Sequence, residues 1–325
     1  MNVLFTSPGR RVELVKIFRE NLPKGSKLYG ADFDSTSPAS YFLDKVFKVP
    51  FKIDDQYVDR VLEICEINNV ELVIPLIDPE LPFFSRAREK FQEKGIFVMI
   101  SSFEAIEIAS DKYMTAKFAN SIEVNIPKTL LGSTLTDEAI YNLNFPLVLK
   151  PRLGSASKGI KVVNSKEELR YVKDILDENV ILQEKIEGFE VTVDVFGTET
   201  GKCIEAVQRK RLKVRGGEVE RGVTIKDMGI FRIVEKIVEN YKPRGVINIQ
   251  FIFDTRSDEY LLMEINPRFG GGFPLSYKAG ANYIKLLVDM INSVELQSNI
   301  GNYKEGLYML RYDQAVYTER LIDLC

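Results

Sequence analysis

Apolar and polar positions alternate between two periods along this chain. Residues 3–6, Val-Leu-Phe-Thr, form a short apolar run. Ser7-Pro8-Gly9-Arg10-Arg11 follows, and then Val12, Val15, Ile17, Phe18 and Leu22 fall at helical spacing. The same succession recurs: a strand over 27–32, a helix over 55–69, a buried strand over 70–77, an exposed helix over 86–94 and a strand over 97–100. Strands alternating with helices predict a doubly wound α/β layer over about the first 105–110 residues.

Beyond that layer the pattern changes. Helices are expected from residues 102 and 111, with Asp111 as an N-cap. Short strands are expected over 145–151, 160–163 and 181–186, and a helix from Ser165, where Ser165-x-x-Glu168 reads as a capping box. Residues 187–190 read as a turn and 191–196 as a strand. The stretch 206–227 is dense in charge and interleaved with Gly216, Gly217 and Gly222, so it reads as a loop over an anionic site. A helix over 232–241, a hairpin over 246–265, a long helix over 278–292 and a strand over 307–312 complete the chain.

The hairpin carries the clearest chemistry. Two apolar runs, 246–253 and 260–265, flank the polar segment 254–258. Glu264 and Asn266 are two residues apart, so on a strand they point the same way. With symmetric closure Gln250 lies one diagonal step from Glu264 on that face. Three converging oxygen donors suit a hard cation, although an exposed hairpin with an ordinary wet face has the same pattern. Arg268 and Gly270-Gly271-Gly272 follow, the glycines permitting close backbone approach.

Other anion-binding signals lie upstream. Lys112 sits on a first helical turn, where a cation is electrostatically disfavoured, which hints weakly at a bound anion; on this fact alone a solvated lysine is the better explanation. Lys150 ends a strand, and Ser155, Ser157 and Gly159 lie in a loop with the makings of a phosphate nest or of a plain surface turn. Gly154 and Gly159 have P-loop spacing, but Ile160 stands where the lysine must be, so this is not a P-loop. Arg10 or Arg11 could assist an anion at the first helix N-terminus, or be solvated beside a structural turn. Asp78 and Glu80 follow a strand end, where α/β sheets bind ligands; Asp78 reads rather as a helix cap.

Composition narrows the chemistry. Among 325 residues there is no histidine, which excludes Ser-His-Asp and Cys-His catalysis and a histidine base. Lysines, arginines, carboxylates, amides and a metal remain, and phosphoryl transfer can run on those. A net charge of −3 gives no case for nucleic acid or an anionic membrane. No apolar run reaches the ~18–20 residues of a membrane span. Three scattered cysteines, and a first strand with no signal-peptide layout, make a cytoplasmic location the expectation.

The ordered set of Asp111-Lys112, Lys150, a Gly/Ser loop, Gln183-Glu184-Lys185-Ile186, Glu190, Gln250 and Glu264-x-Asn266-Pro267-Arg268 resembles the ATP-grasp superfamily. Within it the set is similar to the branch around the carbamoyl phosphate synthase large subunit and amino-acid ligases. The resemblance covers nearly the whole chain. It implies an α/β ATP-grasp fold, lid plus antiparallel-sheet domain, preceded by a doubly wound pre-ATP-grasp domain. The implied divisions are 1–109 for the pre-ATP-grasp domain, 110–185 for the lid and 186–325 for the C-terminal catalytic part.

The resemblance also implies roles. Lys112, Lys150, Ser155, Ser157 and Gly159 would contact ATP phosphates; Glu184, Lys185 and Ile186 would read adenine; Glu190 would accept from ribose. Gln250, Glu264 and Asn266 would hold one or two Mg²⁺ ions, with Mn²⁺ an alternative. Arg268, Lys150 and Arg211 would act at the transferred phosphoryl group or the acyl substrate, and Arg209, Glu80 and Arg10 are candidate substrate contacts. The implied activity is an ATP- and Mg²⁺-dependent ligase that joins a small carboxylate to an amine through an acyl phosphate. A bicarbonate- or carbamate-phosphorylating half working with a partner is one alternative; a non-enzymatic nucleotide-binding module is another. The chain departs from the synthase in having one ATP-grasp unit and no histidine near the metal position. Its partners are expected to be small molecules, with a homodimer as candidate assembly.

Overall fold

The computed structural model describes residues 1–136, 140, 143–154 and 159–325. Strands β1 (Val3–Thr6), β2 (Leu28–Asp32), β3 (Lys45–Lys48), β4 (Leu72–Pro75) and β5 (Phe97–Val98) form a parallel sheet in the order β3-β2-β1-β4-β5. Val3 and Phe5 pack on one side with Leu14 and Phe18 of helix Val12–Asn21. Leu4 packs on the other with Val58, Val61 and Leu62 of helix Asp55–Ile67. Burial on both faces explains why β1 and β4 read as continuous apolar runs rather than alternating ones. Strand order reverses between β1 and β4. The loops leaving their C-terminal ends, after Thr6 and after Pro75, therefore open a crevice at the sheet's switch point.

A second sheet is small and antiparallel: β6 (Thr129–Leu131), β7 (Leu147–Pro151), β8 (Lys161–Val163) and β9 (Val180–Glu184), ordered β6-β9-β7-β8. Its own core gathers Leu147, Leu149, Val163, Leu169 and Leu182. Ser165 caps the adjoining helix by accepting from the Glu168 amide at 3.2 Å, while the Glu168 carboxylate reaches one residue further back, to the Asn164 amide.

The third sheet has six antiparallel strands: β10 (Gly188–Gly197), β11 (Cys203–Arg215), β12 (Glu218–Ile225), β13 (Gly245–Asp254), β14 (Glu259–Asn266) and β15 (Tyr308–Leu310), ordered β14-β13-β10-β11-β12-β15. Helices Met228–Tyr241 and Tyr283–Ile291 bury apolar faces against it. The same core runs into the first sheet: Phe5 meets Phe18 edge-on at 4.9 Å, and Phe18 meets Phe269 at 5.6 Å. This fixes the switch-point crevice against the hairpin β13–β14.

Three expected elements differ. Residues 206–227 form no loop but the two paired strands β11 and β12. Gly216 and Gly217 are the two residues between the paired Arg215 and Glu218, with φ of 58° and 82°, the left-handed pair a tight hairpin turn requires. Residues 188–190 are not a turn; they pair with Ile252–Asp254 and lengthen β10. The long helix over 278–292 is broken: Phe273–Lys278 ends before Gly280, whose φ of 124° no helix accommodates, and Tyr283–Ile291 restarts from the Asn282 cap. Among the described residues no helix is long and apolar enough to cross a membrane.

Glu205 on β11 is 3% exposed, and its Oε1 has no hydrogen-bond partner. Burial pushes its carboxyl from 4.5 up to about 7. A carboxyl whose folded-state value is raised stays protonated in the folded chain while the unfolded chain ionises. The stability it allows is full below pH 4.5 and is lost as pH rises to about 7. That loss is on the order of 2–3 kcal/mol. Denaturant unfolding between pH 4.5 and 7.5 should show the slope, and Glu205→Gln should flatten it.

Candidate active site

The switch-point crevice deepens into a cavity of about 480 Å³ over β13, β14 and the tip of β11–β12. Lys112, Arg211, Gln250, Glu264, Asn266 and Arg268 all line it. A β-bulge brings the three oxygen donors together. Gln250 pairs directly with Glu264 and Asn248 with Asn266, whereas Phe251 pairs with Leu262, so Met263 is the extra residue. Without the bulge Gln250 would oppose Met263, and Glu264 would pair with Ile249 and point to the other face. The register is thus direct, not the diagonal one expected from symmetric closure, and it also draws Asn248 toward the set.

The donors are held by the cations around them. Asn266 Nδ2 donates to Glu264 Oε1 at 3.0 Å, and Arg211 Nη1 donates to Gln250 Oε1 at 2.9 Å. Arg211 also pairs with Glu190 at 2.8 Å and donates to the Gly217 carbonyl. Arg268 makes a two-pronged pair with Asp78, Nε to Oδ1 at 2.7 Å and Nη2 to Oδ2 at 2.8 Å. Asp78 is therefore a partner delivered by the first sheet rather than a helix cap. Burial alone would weaken the Arg268 charge; Asp78 and Glu264 outweigh it.

Two lysines stand opposite. Lys112 Nζ donates to the Gly154 carbonyl at 2.7 Å, and Lys150 Nζ to Gln183 Oε1 at 2.5 Å. Burial and then the Lys112 charge lower Lys150 to about 8, against an opposing pull from Glu264. Burial also lowers Lys112. An anion placed between them would restore both charges. If the site takes phosphates, nucleotide affinity should therefore fall as pH rises through about 8, where unliganded Lys150 loses its proton. Lys150→Met should weaken binding roughly 10-fold or more at pH 7 and remove that pH dependence; equilibrium titration with a fluorescent nucleotide between pH 7 and 9 measures both.

In the cavity floor lies a buried polar brace, of which Arg209 and Asn248 line the cavity. Arg209 Nε and Nη2 bond Asp194 at 2.8 and 2.9 Å, and Asn248 and Ser276 donate to the same carboxylate. Arg209 is 2% exposed and Asp194 0%. The guanidinium expected to clamp a substrate is instead committed to Asp194. Its free edge supports the floor: a side chain at Gly272 would stand 2.0 Å from Arg209 Nη1, and one at Gly270 2.1 Å from Asn248 Nδ2. Only glycine lets that backbone settle so low.

The remaining expected residues fall elsewhere. Arg10 is exposed and outside the cavity; Arg11, one residue on, turns inward and lines it. Glu80 is fully buried behind the cavity wall, where Thr6 Oγ1 and Tyr57 OH donate to it at 2.6 Å and Ser7 Oγ donates as well. Burial drives its carboxyl up, and these hydroxyls only partly offset that. It holds the loop after β1 in place. Glu184, Lys185, Ile186 and Glu190 do not line this cavity; they lie where the second and third sheets join. There the Glu184 amide donates to the Lys128 carbonyl and the Lys185 amide to that of Pro146. Gly159 is exposed, and Ser155 and Ser157 lie outside the described residues. Asp194, Asn248 and Glu218 carry no site signal in the sequence, and Asp78 and Arg11 carry one only beside a capping or solvated alternative, because the roles of all five depend on partners distant in the chain.

Comparison with known proteins fits this arrangement. The family model for the PylC-like N-terminal domain matches residues 3–99, that for the D-ala D-ala ligase C-terminus residues 114–214, and that for the ATP-grasp in the biosynthetic pathway with Ter operon residues 177–314. The chain belongs to the ATP-grasp superfamily. This ATP-grasp chain is 26% identical over 263 residues to the carbamoyl-phosphate synthase of Methanobrevibacter smithii, covering 76% of its own length and 69% of that protein. It is 28% identical over 236 residues to the carbamoyl phosphate synthase large chain of Caldanaerobacter subterraneus subsp. tengcongensis, covering 68% of its own length but 22% of that chain. The chain thus spans under a quarter of the large synthase chains it matches.

Solved structures show the same fold. The biotin carboxylase domain of Hydrogenobacter thermophilus 2-oxoglutarate carboxylase, with MgADP, ADP and bicarbonate, superposes with a TM-score of 0.75 at 16% identity, over 94% of this chain and 73% of that one. An L-amino acid ligase from Bacillus licheniformis superposes with a TM-score of 0.68 at 18% identity, over 91% and 75%. The α/β ATP-grasp architecture expected from the sequence, with a doubly wound layer before it, holds.

Among the described residues no group of three His, Cys, Asp or Glu side chains could hold a metal. The oxygens of Glu264, Asn266 and Gln250 are instead one carboxylate and two amide carbonyls, all hard donors on one face, which suits Mg²⁺.

Proposed function

We propose that this chain is an ATP- and Mg²⁺-dependent ligase that activates a small carboxylate as an acyl phosphate for attack by an amine. The observation that carries the reading is the meeting, in one cavity, of the oxygen set Gln250, Glu264 and Asn266 with Lys112 and Arg268. Lys150 stands at the second sheet, close enough for its charge to feel both Lys112 and Glu264.

In this reading Lys112 and Lys150 bind the ATP phosphates, and Gln250, Glu264 and Asn266 hold the metal. Bound there, Mg²⁺ supplies charge neutralisation to the phosphate oxygens. A carboxylate oxygen of the substrate attacks the γ-phosphorus, the bond to the bridging oxygen breaks, and ADP leaves with that electron pair. Arg268, its charge secured by Asp78, faces the phosphoryl group in transfer. The amine nitrogen then attacks the acyl carbon, phosphate departs with the former carboxylate oxygen, and the nitrogen gives up a proton. The second sheet closes over the phosphates and keeps water from the acyl phosphate. Glu184 to Ile186 contact the adenine and Glu190 the ribose; Glu190 must then exchange Arg211 for the nucleotide. We assign the chain to a reducing cytoplasm, consistent with the buried free thiols of Cys65 and Cys203.

Pure protein with ATP, Mg²⁺ and paired small acids and amines should release ADP and phosphate together for some pair. No release with any pair in a broad amino-acid panel would count against the ligase. A second reading, activation of bicarbonate, draws on the carbamoyl phosphate synthase relatives. ADP release stimulated by bicarbonate without any amino acid would favour it.

A further inference from the structure

Three guanidinium groups meet at the end of the cavity formed by the first sheet. Arg268 is committed to Asp78. Arg11 and Arg311 share a single carboxylate, Glu218: Arg11 Nη2 lies 3.5 Å from Oε1, and Arg311 Nη1 lies 3.3 Å from Oε2. The Arg11 pair is longer than a hydrogen bond, and its Nη1 is buried with no acceptor at all. A covered guanidinium left this poorly satisfied is costly to maintain unless something else completes it.

Glu218 is unlike its two partners. The Arg11 side chain is 19% exposed and the Glu218 side chain 50%. Arg11 is fixed at the head of helix Val12–Asn21, where its amide donates to the Pro8 carbonyl. Arg311 is fixed by its amide on the Glu220 carbonyl and by its Nη2 on the carbonyl of Gly271. Glu218 instead leaves the Gly216-Gly217 turn at the tip of a hairpin. The arginines are the frame, and the glutamate is an arm laid across it. Its carboxyl is held low by Arg11 and Arg311, against the opposing effect of burial, so it enters the frame as an anion.

We propose that Arg11 and Arg311 form a carboxylate-recognition subsite for the small substrate, and that Glu218 occupies it as an internal stand-in until substrate displaces it. The inference rests on the ligase reading for the presence of a small-molecule substrate in this cavity. An incoming carboxylate replaces Glu218 with equal charge and shape, and it can reach the Arg11 Nη1 that Glu218 leaves bare. The subsite lies beside Arg268 in the same cavity, so a substrate anchored here by one carboxylate presents its other end, a second carboxylate or an amine, to the phosphoryl site. Arg11 and Arg311 then set specificity for acids that carry a carboxylate at this end.

The test compares wild type, Arg11→Gln and Glu218→Gln in thermal unfolding with Mg²⁺ and ADP present. The probes are the common amino acids one by one, their carboxamides, and inorganic phosphate, at constant ionic strength. At least one amino acid should raise the wild-type melting temperature, and its carboxamide should not. Its affinity should fall 10-fold or more in Arg11→Gln and rise 3-fold or more in Glu218→Gln, because the competing carboxylate is gone. The opposite sign in Glu218→Gln decides the matter even if Arg11→Gln folds poorly. The proposal is overturned if no amino acid binds wild type or Glu218→Gln, if Glu218→Gln binds more weakly, or if phosphate alone responds. ADP release by wild type in the same mixtures is scored separately. Binding without turnover keeps the subsite and removes the ligase reading. Turnover unaffected by either substitution keeps the ligase and removes the subsite.

Discussion

Glu264→Ala should lower Mg²⁺-dependent ADP release by about 10³-fold or more, equivalent to roughly 4 kcal/mol of transition-state stabilisation. Glu264 is the sole carboxylate of the oxygen trio. It also opposes the burial that lowers both Lys112 and Lys150, and it raises Arg268. Its loss removes a metal donor and leaves three cations facing one another without their shared counter-charge. Lys150 should then deprotonate below pH 8. The fold should survive, because Glu264 lies at the cavity surface and its hydrogen bond is to its neighbour Asn266. Steady-state ADP assays beside a melting curve measure both effects. A variant that keeps full activity would remove the metal assignment.

Asp194→Ala should be the most damaging single change to stability, at about 3–5 kcal/mol, because it strands the Arg209 guanidinium without a partner. The Asp194 carboxylate accepts from Arg209 twice, from Asn248 and from Ser276, all out of reach of solvent. Its backbone carbonyl accepts from Tyr283 OH at 2.6 Å. Removing both charges together, as Asp194→Leu with Arg209→Met, should cost far less than the single change, since no buried charge is left alone. Urea unfolding midpoints of the two single variants and the pair give the comparison. If Asp194→Ala proves neutral, the brace does not support the floor of the site.

Much of the fold was legible because local signals agreed. β1 and β4 are buried on both faces, so their apolar runs were unmistakable, and Asp111 caps its helix with bonds to the Tyr113 and Met114 amides. The hairpin β13–β14 was legible from its two apolar runs about a polar segment, and the shared face of Glu264 and Asn266 from their two-residue spacing. Its register was not, because the bulge at Met263 has no sequence marker of its own. The segment 206–227 was read as a loop because charge outweighed pattern. Arg209 and Arg211 alternate with Lys210 as a strand requires, but the face holding Arg209 is buried only because Asp194, fifteen residues away, neutralises it. Arg10 and Arg11 are adjacent at a helix start, and which of them faces the cavity is set by the fold rather than by any local signal. Asp78 looked like a cap because its partner, Arg268, is 190 residues on.

The central claim is that a substrate carboxylate is phosphorylated in the cavity over Glu264 and Arg268. The most direct measurement follows oxygen. Small acids labelled with ¹⁸O in the carboxylate are given to the protein with ATP, Mg²⁺ and an amine, and the phosphate released is examined by mass spectrometry. The account predicts one labelled oxygen in each phosphate, ADP in equal amount, and neither in Glu264→Ala. Phosphate carrying only solvent oxygen, or AMP and pyrophosphate in place of ADP, would contradict it.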